Sequence, residues 1–125
     1  MLQTLWIALF GAVGVLARHF ADRTAVGLWG MESQWAATFL VNALGCFLAG
    51  VIWILAVEKM MLPTDLRIAL LVGFAGGFTT FSAYALQSFQ LWEARQWSVL
   101  ATVWIGSPIV GLTMLLAGVK LARLI

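Results

Sequence analysis

Hydrophobic positions along the chain gather into four long blocks separated by short polar clusters. The first block runs from about Leu2 to Phe20 and ends at Arg18-His19, with Asp22-Arg23 just beyond. The second, from Ser33 to Val57, carries no charge and ends at Glu58-Lys59. The third, Ile68 to Trp92, is also uncharged and is followed by Glu93-Ala94-Arg95-Gln96. The fourth covers about Trp97 to Val119 and closes at Lys120 and Arg123. Each block is long enough to cross a bilayer as a helix. The pattern predicts an all-α membrane protein of one domain, residues 1–125, with spans at about 2–20, 34–57, 66–92 and 97–119. Thr24 to Gln34 is expected as a loop or short interfacial segment, with Ser33 as a helix cap. Met60 to Asp65 is expected as a turn, with Pro63 and a Thr64 or Asp65 cap opening the third span.

The third block departs from a plain membrane anchor. It contains Gly73-Phe74-Ala75-Gly76-Gly77-Phe78-Thr79-Thr80-Phe81-Ser82-Ala83-Tyr84. Paired glycines followed by a β-branched threonine pair weaken helix propagation, so a break is predicted at Gly76-Gly77. In hydrocarbon, broken backbone is tolerated only where protein or a polar cavity covers it. Helical spacing sorts the nearby polar residues onto faces. Thr38, Asn42 and Gly45 recur at i, i+4 and i+7 on the second span, and Phe81, Tyr84 and Ser88 at i, i+3 and i+7 after the break. Mid-membrane Asn42 needs a partner, which a helix-to-helix hydrogen bond or a polar path would supply. Gly11 and Gly14 permit close helix approach. Pro108 is expected to kink the fourth span or remove one of its hydrogen bonds, with Ser107 positioned to satisfy a freed carbonyl. Thr113, Gly106 and Gly111 give that span a small-residue face.

Composition confirms the class: 63% of residues are hydrophobic, 10% are charged, and the mean hydropathy is +1.02. A net charge of +2, spread along the chain, argues against nucleic-acid binding. Seven tryptophans suit residues at headgroup level. Cys46 stands alone, so it forms no disulfide within the chain and is expected as a small core residue. No Lys or Arg precedes the first apolar block, which reads as a retained span. His19 has no second histidine and reads as an interfacial ring. Arg18 has two available roles, snorkelling to the headgroups or pointing inward to fix a helix end. Four spans put both termini on one side, with Lys59, Arg67, Lys120 and Arg123. The other side has Arg23 and Arg95, plus Arg18 if it reaches the surface. That weak bias permits insertion in both orientations and an antiparallel dimer.

The spans also limit the chemistry. No Asp, Glu or Lys lies mid-span, which argues against a proton-coupled transporter of the small multidrug type. No nucleophile–base pair or phosphate-cradling motif is present, which argues against an enzyme. What remains is a path of Asn, Ser and Thr donors with aromatic rings, whose edges are electropositive. Weak contacts without fixed charge suit conduction, and this lining points to a small anion or to water.

Gly73 to Ser82 closely resembles the Gly-x-x-Gly-Gly-x-Thr-Thr-Phe-Ser signature of the Fluc (CrcB) fluoride channels. The Gly14–Arg18 end of span one and the Asn42–Gly45 element of span two support it, and the likeness covers the whole chain. The resemblance implies a passive fluoride-exporting channel of the bacterial inner membrane, built as an antiparallel dual-topology homodimer with two pores. It implies fluoride contacts from Asn42, Phe81 and Tyr84, with Thr80 and Ser82 in the polar lining and Arg18 near the vestibule. Thr38, Ser107 and Thr113 are further candidates for the path. It also implies a structural sodium ion held by backbone carbonyls from both subunits, here those of Gly76 and Thr79. Three features depart from the family pattern. Tyr84 replaces a phenylalanine, Gln87 stands where many members carry glutamate, and Pro108 and Leu112 occupy positions expected to be serines. A non-conducting partner subunit is the alternative those departures keep open.

Overall fold

A computed structural model describes all residues, Met1–Ile125. The chain is all-helical, with four helices long and apolar enough to cross a membrane: Leu2–Trp29, Met31–Glu58, Thr64–Glu93 and Trp97–Leu124. We label them α1 (Leu2–Trp29), α2 (Met31–Glu58), α3 (residues 64–78), α4 (Phe81–Glu93) and α5 (Trp97–Leu124), the third span being α3 and α4 together. Only 20 of the 125 residues are buried, so most apolar surface faces outward, as helices solvated by lipid require.

Small residues set the crossings. On α1, a Cβ added at Gly14 would strike the Phe74 carbonyl and come within 2.9 Å of the Phe78 nitrogen. On α3, one at Gly77 would lie 2.6 Å from the Gly11 carbonyl, and one at Gly73 would lie 2.8 Å from the Ile7 carbonyl. The α1 and α3 backbones therefore touch directly, which side chains of any size would prevent. Gly50 against the Leu115 backbone and Gly118 against the Phe47 backbone do the same for α2 and α5. Lateral contact then divides: α3 packs mainly on α1, whereas α4 packs on α2 and the start of α5.

Several boundaries differ from the sequence expectation. The segment expected as a loop from Thr24 is helical to Trp29, with the Thr24 hydroxyl turned back onto the Phe20 carbonyl (2.9 Å) and so not competing for the backbone ahead of it. The turn is confined to Gly30, whose φ of 86° only glycine adopts at little cost, and a short 3₁₀ turn, Met31–Ser33. Ser33 donates back to the Trp29 carbonyl (3.3 Å) and does not cap α2. Neither Thr64 nor Asp65 caps α3, whose flanking residue is Pro63; Asp65 instead accepts from Gln3 Nε2 at 3.2 Å. Ahead of Pro108, residues 102–106 form a wide turn with i→i+5 hydrogen bonds, which absorbs the proline's missing donor.

The break in the third span lies at Thr79-Thr80, not at Gly76-Gly77. Gly76–Phe78 are helical, whereas Thr79 (ψ 157°) and Thr80 (φ −148°, ψ 120°) are extended. The glycine pair keeps helical geometry because Gly77 is wanted for its missing side chain against α1. The threonines leave it because β-branched residues tolerate extended backbone and carry hydroxyls that replace the lost helical bonds.

Candidate functional site at the helix break

The two extended threonines are held by local and distant hydrogen bonds. Thr79 N–H and Oγ1 both bond the Ala75 carbonyl, at 3.0 and 2.9 Å, closing the end of α3. Thr80 Oγ1 accepts from Ala83 N–H at 3.2 Å and caps the start of α4. Ser82 Oγ lies 3.3 Å from Thr80 Oγ1. Asn42 grips the break from α2: Oδ1 accepts from Thr80 N–H at 2.8 Å and Nδ2 donates to the Thr80 carbonyl at 3.1 Å. The backbone N–H can meet only the oxygen of that amide, so its orientation is fixed. One Nδ2–H remains free. Asn42 thus makes the helix-to-helix bond the sequence allowed and also faces the cavity described below.

Among the carbonyls at the break left without a helical donor, two are freed by these bonds. The regular helical donor to the Gly76 carbonyl is Thr80 N–H, which Asn42 takes. The regular donor to the Thr79 carbonyl is Ala83 N–H, which Thr80 Oγ1 takes. Between them, the Gly77 carbonyl accepts from Arg18 Nε at 3.4 Å. Arg18 therefore points inward and meets the negative end of α3, the second of the two roles open to it.

Beside the break lies a cavity of about 330 Å³, lined by Asn42, Cys46, Thr79, Thr80, Phe81, Tyr84, Ser107, Pro108 and Gly111. The start of α4 faces it, so first-turn N–H groups contribute positive field there. The Phe81 and Tyr84 rings stand 5.5 Å apart, tilted by 31°. Phe81 is 80% exposed, whereas Tyr84 is half-buried and also packs on the Leu91, Leu100 and Val103 cluster. The Ser107 hydroxyl makes no hydrogen bond within the chain, so it is available to the cavity rather than spent on a freed carbonyl.

Of the candidates named from sequence, the cavity gathers Asn42, Thr79, Thr80, Phe81, Tyr84 and Ser107. Thr38 is buried one turn away, accepting from Gln87 Nε2 at 2.8 Å. Ser82 is exposed beside Thr80, and Gly76 is exposed on α3. Thr113 is exposed on α5 and donates to the Ile109 carbonyl at 2.8 Å. Cys46 lines the cavity, half-buried, and does not belong to the buried core as expected. Its signal was available, for it follows Asn42 by four residues and shares its helix face. Gly111 follows Ser107 by the same interval. His19 is exposed, edge-on to Phe20.

Four apolar helices and a cavity at a helix break define a small multi-pass membrane protein. The family model described as CrcB-like protein, Camphor Resistance (CrcB) matches residues 5–119. The chain belongs to this family. It is 41% identical over 126 aligned residues to the fluoride-specific ion channel FluC of Solidesulfovibrio magneticus, with 100% of both chains covered. It is 38% identical to that of Nitrosococcus oceani, covering 96% of this chain and 95% of the relative. Against that of Rhizobium etli identity is 39%, with 98% of each chain covered. These relatives are named as ion channels, a kind of function distinct from enzyme catalysis.

Proposed function

We propose that this protein is a fluoride-selective channel that lets fluoride leave a bacterial cell passively across the inner membrane. The observation that carries the reading is end-to-end likeness, 41% with both chains fully covered, to a relative named for that activity. The cavity chemistry supports it. Fluoride is small and strongly hydrated, so a path must offer many hydrogen-bond donors to replace water. Here the free Asn42 Nδ2–H, the Ser107 and Tyr84 hydroxyls and the first-turn N–H groups of α4 are such donors. The edges of Phe81 and Tyr84 add electropositive contacts. No carboxylate lines the cavity to repel the ion. Hydrogen fluoride entering an alkaline cytoplasm dissociates and traps fluoride inside, so an outward leak lowers the internal concentration.

The working unit in this reading is an antiparallel, dual-topology homodimer. Two observations support it: the exposed ring of Phe81, which a second copy would cover, and the weak charge bias between the two ends. A structural sodium ion at the dimer interface is part of the same proposal. The freed Gly76 and Thr79 carbonyls are hard oxygen donors that fit such an ion. Two carbonyls are too few to replace its water, so the second copy supplies the remainder. Exchanging sodium for a large organic cation should lower the melting temperature of the dimer by several degrees. An unchanged melting temperature would remove the ion from the account.

The test of function is anion efflux from liposomes containing the purified chain, with a potassium ionophore present. Rapid loss of fluoride with chloride retained is the expected result. Loss of both ions would leave a pore without selectivity. Retention of both by a folded dimer would favour the non-conducting subunit.

A further inference from the structure

Away from the break, one cavity combines opposite charges with aromatic walls. It lies at the turn between α4 and α5, has a volume of about 520 Å³, and is bounded by Phe89, Trp92, Glu93, Arg95 and Trp97. The turn is closed by Gln96 N–H on the Leu91 carbonyl and Arg95 N–H on the Trp92 carbonyl, both at 3.0 Å. In a helix end of this kind the left-handed residue is usually glycine. Here it is Arg95, at φ 55°, so a long cation occupies a position where backbone conformation favours no side chain. The Trp92 and Trp97 rings stand 5.0 Å apart at 86°, forming perpendicular walls that can receive an ammonium group on an indole face. The side chains of Glu93 and Arg95 pair neither with each other nor with any other residue; the one ion pair in the chain is Arg123 with Glu58. Trp92, Glu93, Arg95 and Trp97 are exposed at the end of two apolar spans, where headgroups lie. A second groove, about 550 Å³, continues from this cavity along α4 toward mid-span. It shares Phe89 and Trp92 with the turn cavity and Tyr84 with the cavity at the break.

We propose that the turn binds a zwitterionic phospholipid bearing a primary ammonium, that is, an ethanolamine headgroup. The ammonium sits against an open indole face of the Trp92–Trp97 pair beside Glu93, the phosphodiester meets Arg95, and one acyl chain follows the groove past Phe89 toward Tyr84. Charge complementarity selects this occupant. A headgroup of net negative charge would meet Glu93, and a quaternary ammonium has no N–H to donate to that carboxylate.

Native mass spectrometry of the full-length protein tests this, using dioleoyl lipids with ethanolamine, choline or glycerol headgroups. The ethanolamine lipid should be retained about fivefold more tightly than either of the others, as one hydrogen bond from its ammonium to the Glu93 carboxylate would provide. Glu93→Gln should lose that preference, whereas Arg95→Gly should weaken retention of all three lipids while keeping the turn, since glycine is the residue this backbone favours. Trp97→Leu should weaken retention of the ethanolamine and choline lipids together. Equal retention of the three lipids, or an unchanged preference in Glu93→Gln, would overturn the proposal. Photo-crosslinking from position 89 to a second copy in place of lipid would overturn it too.

Discussion

The two halves of the third span are separated by two residues, yet they are held in opposite ways. α3 rests on α1 through bare backbone, with Gly73 and Gly77 meeting the Ile7 and Gly11 carbonyls and Gly14 meeting Phe74 and Phe78. Its one side-chain hydrogen bond to another helix in the membrane interior comes from Arg18. α4 has no comparable glycine seam. It is held by Asn42 on Thr80, by Gln87 on Thr38, and by a small cluster of Leu91, Leu100 and Val103. The scaffold half is fixed by absent volume and the site half by a few polar contacts. Replacements in the first should therefore cost the fold, and replacements in the second should cost function before fold.

The largest effect is expected at the glycine seam. Gly14→Val would drive a branched side chain into the Phe74 carbonyl, and backbone cannot yield as a side chain can. We expect about 3 kcal/mol or more of destabilisation, seen as loss of the monodisperse peak in size-exclusion chromatography. A well-folded Gly14→Val protein would show that α1 and α3 are not in backbone contact.

Next comes the polar grip on α4. Asn42→Ala leaves the Thr80 N–H and carbonyl without their partners. The loss should be about 2 kcal/mol, since hydrogen bonds between membrane helices are worth less than a fully buried pair in water. Thermal unfolding followed by tryptophan fluorescence would measure it, and fluoride efflux should fall sharply in protein that remains folded. An Asn42→Ala protein as stable and as conductive as the parent would sever the site from the break.

A smaller effect is expected one turn away. Thr38→Val keeps the shape but removes the acceptor for the buried Gln87 amide. About 1 kcal/mol of stability should go, with a modest reduction in efflux. A cost equal to that of Asn42→Ala would mean that the two contacts hold α4 equally and that the break has no special status.

Much of this contrast was legible in the sequence, for physical reasons. Four apolar blocks dictate four helices, and helical spacing alone put Thr38, Asn42 and Gly45 on one face. The glycines of α1 announced a close crossing. The position of the break was not legible. Glycine weakens a helix in isolation, but Gly77 is spent on the crossing with α1, and the helix ends where Thr79 and Thr80 supply their own replacement bonds. The full length of α1 was hidden because Asp22, Arg23 and Thr24 mark the end of an apolar stretch, and a helix can run past that end. Thr38 meeting Gln87, and Cys46 and Gly111 sharing a cavity, depend on how α2, α4 and α5 cross, which no local pattern records.

Fluoride is proposed to pass at the break, along ring edges that the fold does not itself require. Phe81 decides it most directly, because its ring is 80% exposed and its removal costs the protomer little packing. The measurement is fluoride efflux from liposomes carrying Phe81→Ile beside the parent protein, with both checked for the same elution volume. Efflux should fall about tenfold or more, the loss of about 1.4 kcal/mol of ring-edge contact, from protein that assembles as the parent does. Parental efflux from a normally assembled Phe81→Ile protein would contradict it.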